Sequence, residues 1–360
     1  MKIGTLDVKF NFAESFDTET GRYVRSDVMG PNGENLGNPF QRSFPFLCDL
    51  GIMGHCFNGL SGLCTQAGIQ CYQSGQQVQQ PHMTLEDYKS IIKQSRGKVF
   101  EIALGGRGDP NKHPDFKAIL EYTRDSDIVP NYTTSGLSLT DTEIALTKKF
   151  CGAVACSWHR SQYTVNAIDG FIRAKVKTNI HYILGKNTID EAIDRLTNDT
   201  FPAGINAIIF LLHKPAGQGT SDNVLSAQDP RLLAFFSLID NWNKPYKIGF
   251  DACSTPGLVN FTKNISPETL EPCEGARFSC YISPNMTMVP CSFDTTHVYG
   301  VDLHKFTMQE AWDSPTFELF RSKLRNTCPV CTSRANCMGG CPLMPQVTLC
   351  NRKGDINESY

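Results

Sequence analysis

Eight of the chain's fifteen cysteines fall in its last ninety residues, at 273, 280, 291, 328, 331, 337, 341 and 350. Between them run proline, glycine and polar residues with few long periodic segments. Such a stretch lacks the apolar content to close a large core, so bound metal must supply part of its folding energy. Eight thiolates are the complement of two four-coordinate iron–sulfur clusters. A sparser trio, Cys56, Cys64 and Cys71, lies far upstream, and three cysteine ligands leave one iron of a 4Fe–4S cluster open to a small molecule.

The 360 residues, 40% of them apolar, suffice for one barrel-sized domain and a smaller one. A formal net charge of −2 offers no excess of cations for a phosphate backbone, which argues against nucleic acid as a general partner. The opening MKIGTLDVKF has no signal-peptide core, and the longest apolar run, Ala207 to Leu212, is too short to span a bilayer. A cytoplasmic protein with no membrane partner is expected. Reducing cytosol keeps thiols free, which favours metal over a disulfide scaffold.

Residues 1–45 read as a peripheral extension, with a strand at Val8 to Phe12, a turn at Thr20-Gly21 and a linker through Pro31, Gly33, Gly37 and Pro39. Short apolar strands then alternate with amphipathic helices. The strands are expected at Asp49–Met53, Val99–Leu104, Val129–Thr133, Ala153–Ser157, Thr178–Leu184 and Ala207–Leu212, with Lys247–Ala252 following. Capping boxes at Thr84/Asp87, Thr140/Glu143 and Thr188/Glu191, and the pair Asp229-Pro230, start the helices. Consecutive apolar positions suit a parallel sheet covered on both faces. The fold class is therefore α/β, a partial (β/α)6 TIM-like barrel over 46–254 with chemistry at its strand C-termini. A small Cys-rich domain over 255–360 completes it, with one helix near Met308 to Leu324.

The strand Asp49-Leu50-Gly51-Ile52-Met53 running into Cys56, with Cys64 and Cys71-Tyr72 in a Gly-rich loop, resembles the radical S-adenosylmethionine (SAM) enzymes. In that family the first barrel strand delivers a three-cysteine loop to the barrel mouth. The resemblance covers roughly residues 46–255. Cysteine spacings of x7 and x6 stand here where the family has x3 and x2, and loop closure grows only slowly in cost with length. Cys48, roughly 26 Å away along an extended strand at about 3.3 Å per residue, is read as a buried structural thiol. The resemblance implies that Tyr72 lies beside the adenine. It implies that Gly105 and Gly106, in Leu104-Gly105-Gly106-Arg107-Gly108-Asp109-Pro110, grip the SAM amino group. The acidic residue of that turn is displaced, with Arg107 in its place and Asp109 two residues later. Ser157 and Arg160 become candidates for the methionine carboxylate and ribose, and each also reads as an N-cap or a surface salt bridge. His181 and Asp251 are candidate proton handlers with no partner to name; His181 and His213 also read as satisfied core histidines.

The C-terminal array Cys328-x2-Cys331-x5-Cys337-x3-Cys341, with Cys350 and the upstream Cys273, Cys280 and Cys291, resembles the SPASM domain found on radical SAM enzymes that modify peptides. Met286 stands where that pattern has a glycine, five residues before Cys291. The resemblance implies one auxiliary cluster on Cys273, Cys280, Cys291 and Cys341 and a second on Cys328, Cys331, Cys337 and Cys350. Two zinc sites of four cysteines each are the competing use of these thiolates. Together the two resemblances imply three 4Fe–4S clusters, one binding SAM and two auxiliary, and hydrogen abstraction from a ribosomally made precursor peptide. Flavodoxin or ferredoxin would supply electrons. The first 45 residues are too short for a winged-helix leader-binding module, so a separate leader-recognition protein is expected. A formylglycine-forming sulfatase maturase and a non-catalytic iron–sulfur electron carrier are the alternatives.

Overall fold

The computed structural model describes residues 1–328 and 331–351; the end of the expected C-terminal domain, 352–360, lies outside them. At the N-terminus β1 (Lys2–Asp7), β2 (Phe12–Asp17) and β3 (Arg22–Arg25) form an antiparallel sheet. The expected strand at Val8–Phe12 is instead mostly the turn between β1 and β2, with Asn11 in a left-handed conformation (φ 51°). Thr20-Gly21 does turn the chain between β2 and β3.

The second sheet has ten strands in the order β10-β9-β8-β7-β6-β5-β4-β11-β12-β13. Its barrel part comprises β4 (Leu47–Leu50), β5 (Glu101–Leu104), β6 (Val129–Thr134), β7 (Val154–Ser157), β8 (Thr178–Leu184), β9 (Ala207–Leu212) and β10 (Lys247–Phe250), all parallel. The helices are α1 (Phe57–Leu60) and α2 (Leu63–Gln66) in the cysteine loop, then α3 (Leu85–Ser95), α4 (Phe116–Arg124), α5 (Asp141–Phe150), α6 (Gln162–Arg173), α7 (Ile189–Asn198), α8 (Arg231–Asp240) and α9 (Thr255–Phe261). Toward the C-terminus follow α10 (Met308–Trp312), α11 (Pro315–Asn326) and α12 (Arg334–Cys337). The expected single helix near 308–324 is thus two, because Ser314 caps a new start and Pro315 cannot continue the old one.

The alternation along the strands sorts the two faces. On β8, Ile180, Tyr182 and Leu184 are buried in the large core with the helices, while Asn179 and His181 are half-buried on the lumen side. The first strand begins two residues earlier than expected and ends at Leu50. Beyond it, Met83 N donates to Ile52 O (2.9 Å) and Gly54 N to His82 Nδ1 (2.9 Å), so the chain has left the ladder. Gly51 makes that exit possible, since a Cβ there would stand 2.1 Å from Tyr281 Oη. Thr84 and Thr140 cap α3 and α5 as expected, and Arg231 N, at the start of α8, donates to Asp229. Thr188 does not cap α7; its hydroxyl donates to Ile183 O, and Glu191 pairs with Arg160 and Arg195.

The C-terminal segment is continuous with the barrel sheet. β11 (Ser279–Ile282) lies parallel beside β4, and β12 (Thr287–Val289) and β13 (Val301–Asp302) follow antiparallel. Met286 takes the left-handed conformation (φ 60°) that a glycine would occupy without strain. At the opposite, N-terminal end of the strands, Phe12, Phe16, Phe46, Phe100, Val129 and Phe278 form a second core, so the N-terminal sheet plugs the barrel bottom. Its polar anchor is the buried pair Arg42–Glu14, with Arg42 Nε 2.8 Å from Glu14 Oε2 and Nη1 donating to Phe44, Pro45 and Lys98 carbonyls. Glu14→Ala strands that guanidinium; we expect a loss of about 3–5 kcal/mol, read as a lower denaturant midpoint.

Candidate iron–sulfur and SAM site

The cysteine trio gathers where β4 delivers the chain, at the strand C-termini. Cys56 is the N-cap of α1, its Sγ accepting from Gly59 N at 3.3 Å, and Cys64 lies buried in α2. The Sγ atoms of Cys71 and Cys56 stand 3.5 and 3.7 Å from the point a Cβ on Gly75 would occupy, so Gly75 is the floor between them. Burial pushes the Cys64 thiol up to about 12, with the Cys56 and Cys71 charges adding to it. The three sulfurs therefore share one low-dielectric space. Cys56 and Cys64 are buried and Cys71 half-buried; three thiolates gathered there are costly unless a cation compensates them, and an iron cluster does so.

The loop after β9 closes on this group. Gln218 N donates to Cys71 O at 2.9 Å, and Gly217 (φ +58°) comes so near that its Cβ would stand 2.3 Å from Tyr72 O. Gly217→Ala must push the Cys71–Tyr72 backbone aside. We expect it to lower iron loading at the trio and the nucleoside yield from SAM together, with the C-terminal clusters retained.

Above the end of β5, a Cβ on Gly105 would meet no atom of the described residues within 4 Å, which leaves a ligand room to approach the backbone. Gly106 (φ +82°) is covered by Tyr281, whose Oη would be 2.7 Å from its Cβ. Arg107 donates to Gln73 O (3.2 Å) and Gly54 O (3.1 Å), tying the turn to the cysteine loop. The Asp109 carboxylate accepts from Ser135 N (2.7 Å), Ser135 Oγ (2.6 Å) and Asn58 Nδ2 (3.0 Å). Tyr72 packs against Phe293 with the rings tilted at 33° (centroids 4.4 Å), so its ring meets the C-terminal segment. Ser157 ends β7 in register with His181. Arg160 is not brought to the lumen: it pairs with Glu191 and lies over the Tyr182 ring (5.3 Å) on the helix side of the sheet.

His181 faces the lumen, its Nδ1 3.4 Å from Thr133 Oγ1, and burial holds it down to about 4, hence neutral. Asp251 is bound to Lys214, Ser254 Oγ (2.7 Å) and Leu212 N (3.2 Å). His213 is satisfied by Thr220 O at 3.0 Å. Sequence reasoning missed Asp49, in register with Tyr281 and pushed up to about 7 by burial; alternation along β4 was the available signal.

The C-terminal thiols fall into two groups. In one, Cys341 is the largest influence raising the Cys253 thiol, and burial followed by the Cys253 charge pushes Cys273 up to about 12. Cys291 is raised by burial, then by Cys253 and Cys273. Cys280 is elsewhere: β11 sets it opposite Cys48 on β4, with the sulfurs 3.6 Å apart and both fully buried. Cys253, just beyond the seventh barrel strand, is the ligand-type residue that the sequence pattern did not single out. In the other group, burial pushes Cys337 up to about 11, with the Cys350, Cys328 and Cys331 charges raising it further. Gly339 (φ +80°) lets the chain pass Thr327 beside Cys328, since a Cβ there would stand 2.2 Å from Thr327 Cγ2. Among the described residues, no three His, Cys, Asp or Glu side chains close around a point to hold one metal ion. Tetrahedral zinc with bonds of about 2.3 Å wants thiolates only about 3.8 Å apart.

Residues 273–338 match the family model of SPASM, an iron–sulfur cluster-binding domain. The chain as a whole has the fold of radical SAM partial-barrel structures carrying such a domain. Streptococcus suis SuiB bound to the precursor peptide SuiA is similar over 98% of both chains, with a TM-score of 0.71 and 14% identity. The same protein bound to SAM is similar over 87% of this chain and 78% of its own, with a TM-score of 0.64 and 16% identity. Native anSMEcpe with bound SAM is similar over 84% of this chain and 91% of its own (TM-score 0.60, 16% identity). No curated protein matches the sequence. No helix among the described residues is long and apolar enough to cross a membrane.

Proposed function

We propose that this chain is a radical SAM enzyme that modifies a ribosomally made precursor peptide. The observation that carries the reading is the meeting of Cys56 and Cys71 at Gly75 at the barrel mouth, with Cys64 close enough to feel both, beside the open backbone at Gly105. When bound there, a 4Fe–4S cluster with one open iron supplies the electron that cleaves SAM to a 5′-deoxyadenosyl radical. The chain's own part is to hold and to exclude. Gly105 leaves the SAM ammonium space while Gly106, under Tyr281, closes the turn beside it, Gly217 and Gln218 lock the third cysteine, and the lumen face with Ser157, His181 and Asp49 receives the reacting residue away from bulk water.

Two auxiliary clusters complete the proposal. We assign the first to Cys253, Cys273, Cys291 and Cys341, with Cys253 taking the place expected for Cys280, and the second to Cys328, Cys331, Cys337 and Cys350. That SuiB was solved with its precursor peptide supports a peptide as the partner class; a leader-recognition protein and a flavodoxin or ferredoxin remain part of the proposal. The test is an anaerobic incubation of enzyme, SAM, reductant and the small peptide encoded beside this gene. The expected result is 5′-deoxyadenosine together with a mass change in the peptide; nucleoside without any mass change, across such peptides, would remove the substrate assignment.

A further inference from the structure

Asp49 is half-buried on the lumen side of β4, since Cys48 and Leu50 on either side of it belong to the helix-side core. Opposite it in the sheet stand Ala103 on β5 and Tyr281 on β11. Their chain neighbours Ile102, Leu104, Cys280 and Ile282 are in that same core, so all three residues share the lumen face. The Tyr281 hydroxyl reaches across the next layer up, 2.1 Å from the point a Cβ on Gly51 would occupy and 2.7 Å from that on Gly106. Two residues of strand, about 6.6 Å, separate Gly51 from Asp49, so carboxylate and hydroxyl occupy successive layers of one wall.

Among the described residues neither group has a hydrogen-bond partner, yet neither polar end is sealed off as the orphaned Asn111 Oδ1 and Glu271 Oε1 are. The other acids at this end of the barrel are already engaged, Asp109 with Ser135 and Asn58 and Asp251 with Lys214. A carboxylate only accepts, and the phenol has a proton to donate. The complement of this wall is therefore a group that turns a donor and an acceptor to the same side. An ammonium fails, because it leaves the phenolic O–H without an acceptor. An extended peptide residue succeeds, because its own N–H and C=O point to one side, as in each hydrogen-bonded pair of an antiparallel ladder. There is also room for a main chain: β5 presents only Ala103 and Gly105 beside the pair, and a Cβ on Gly105 would meet no atom of the described residues within 4 Å.

We propose that Asp49 and Tyr281 bind the main chain of the peptide residue that is attacked, the carboxylate accepting from its N–H and the hydroxyl donating to its C=O. Held there, the residue lies beside the Gly105–Gly106 turn assigned to SAM, with its reacting atoms oriented before any bond is broken. The two bonds read backbone and leave the side chain to other parts of the lumen. The inference rests on the precursor-peptide reading above.

The experiment uses full-length, anaerobically purified enzyme and the small peptide encoded beside this gene, once mass spectrometry of the wild-type product has located the modified residue. Steady-state kinetics and peptide binding by fluorescence anisotropy compare wild type with Tyr281→Phe, Asp49→Ala and Asp49→Asn, each checked for iron content. Tyr281→Phe and Asp49→Ala should each raise KM and Kd for the peptide roughly tenfold, and Asp49→Asn, whose carbonyl still accepts, by less. A synthetic peptide with an α-hydroxy-acid ester in place of the modified residue's N–H should bind wild type roughly tenfold more weakly and lose little further on Asp49→Ala. The ester's effect on wild type decides the matter if the variants do not fold. An ester bound by wild type as tightly as the amide, or equal ester losses in wild type and Asp49→Ala, overturns the proposal. So does an Asp49→Ala loss that tracks a Lys or Arg side chain of the peptide instead. If the wild type modifies no such peptide, the precursor-peptide reading itself fails and the inference falls with it.

Discussion

Replacing Cys56, Cys64 and Cys71 together by alanine should take the iron content from about twelve to about eight per chain and abolish release of 5′-deoxyadenosine from SAM. The fold should survive, because the trio lies in a surface-facing loop with short helices, while the large core is built by the strands and by α3 to α8. The N-terminal plug and the β11 to β13 extension are also remote from it. None of the three thiols belongs to the large core, so the apo variant should be no less stable than the apo parent. The two auxiliary clusters should remain and give their reduced spectra. Iron that stayed at the parental level would mean that these sulfurs hold nothing.

The second large effect separates two cysteines twenty-seven positions apart. Cys253→Ser should lose about four irons, since its thiol adjoins Cys341 and shares a buried space with Cys273 and Cys291. Cys280→Ala should keep the full complement. Its sulfur is turned to Cys48 across the β4–β11 pairing, and its loss should cost only the packing of a small buried group, roughly 0.5–3 kcal/mol. Iron analysis with a thermal melt on both variants checks this. The opposite pattern, iron lost with Cys280 and kept with Cys253, would restore the ligand set that the sequence pattern implies.

The barrel was legible because its strands carry unbroken apolar runs between capped helices, and each of them, from β4 to β10, begins within two residues of the expected start. The failures have local causes. The apolar stretch Ile52-Met53 reads as strand, yet Tyr281 crossing Gly51 turns the chain toward residues 80–83. Thr188-x-x-Glu191 has the letters of a capping box, but two arginines and the Trp158 indole compete for the glutamate. That Cys280 faces Cys48 could not be read from spacing, because β11 joins the barrel sheet edge beside β4, a long-range pairing with no local signature. Arg160 failed likewise: a left-handed backbone (φ 56°) aims it at Glu191 on the helix side. For Cys328, Cys331, Cys337 and Cys350 the proposal keeps the grouping that the cysteine pattern implies.

The most direct test of the account is the electron paramagnetic resonance spectrum of the reduced enzyme before and after SAM is added, in the parent and in the variant lacking Cys56, Cys64 and Cys71. An open iron at that trio predicts one signal that changes on SAM addition in the parent, is missing from the variant, and leaves the other signals untouched. A parent spectrum indifferent to SAM, or a SAM-sensitive signal that persists without the trio, would contradict it.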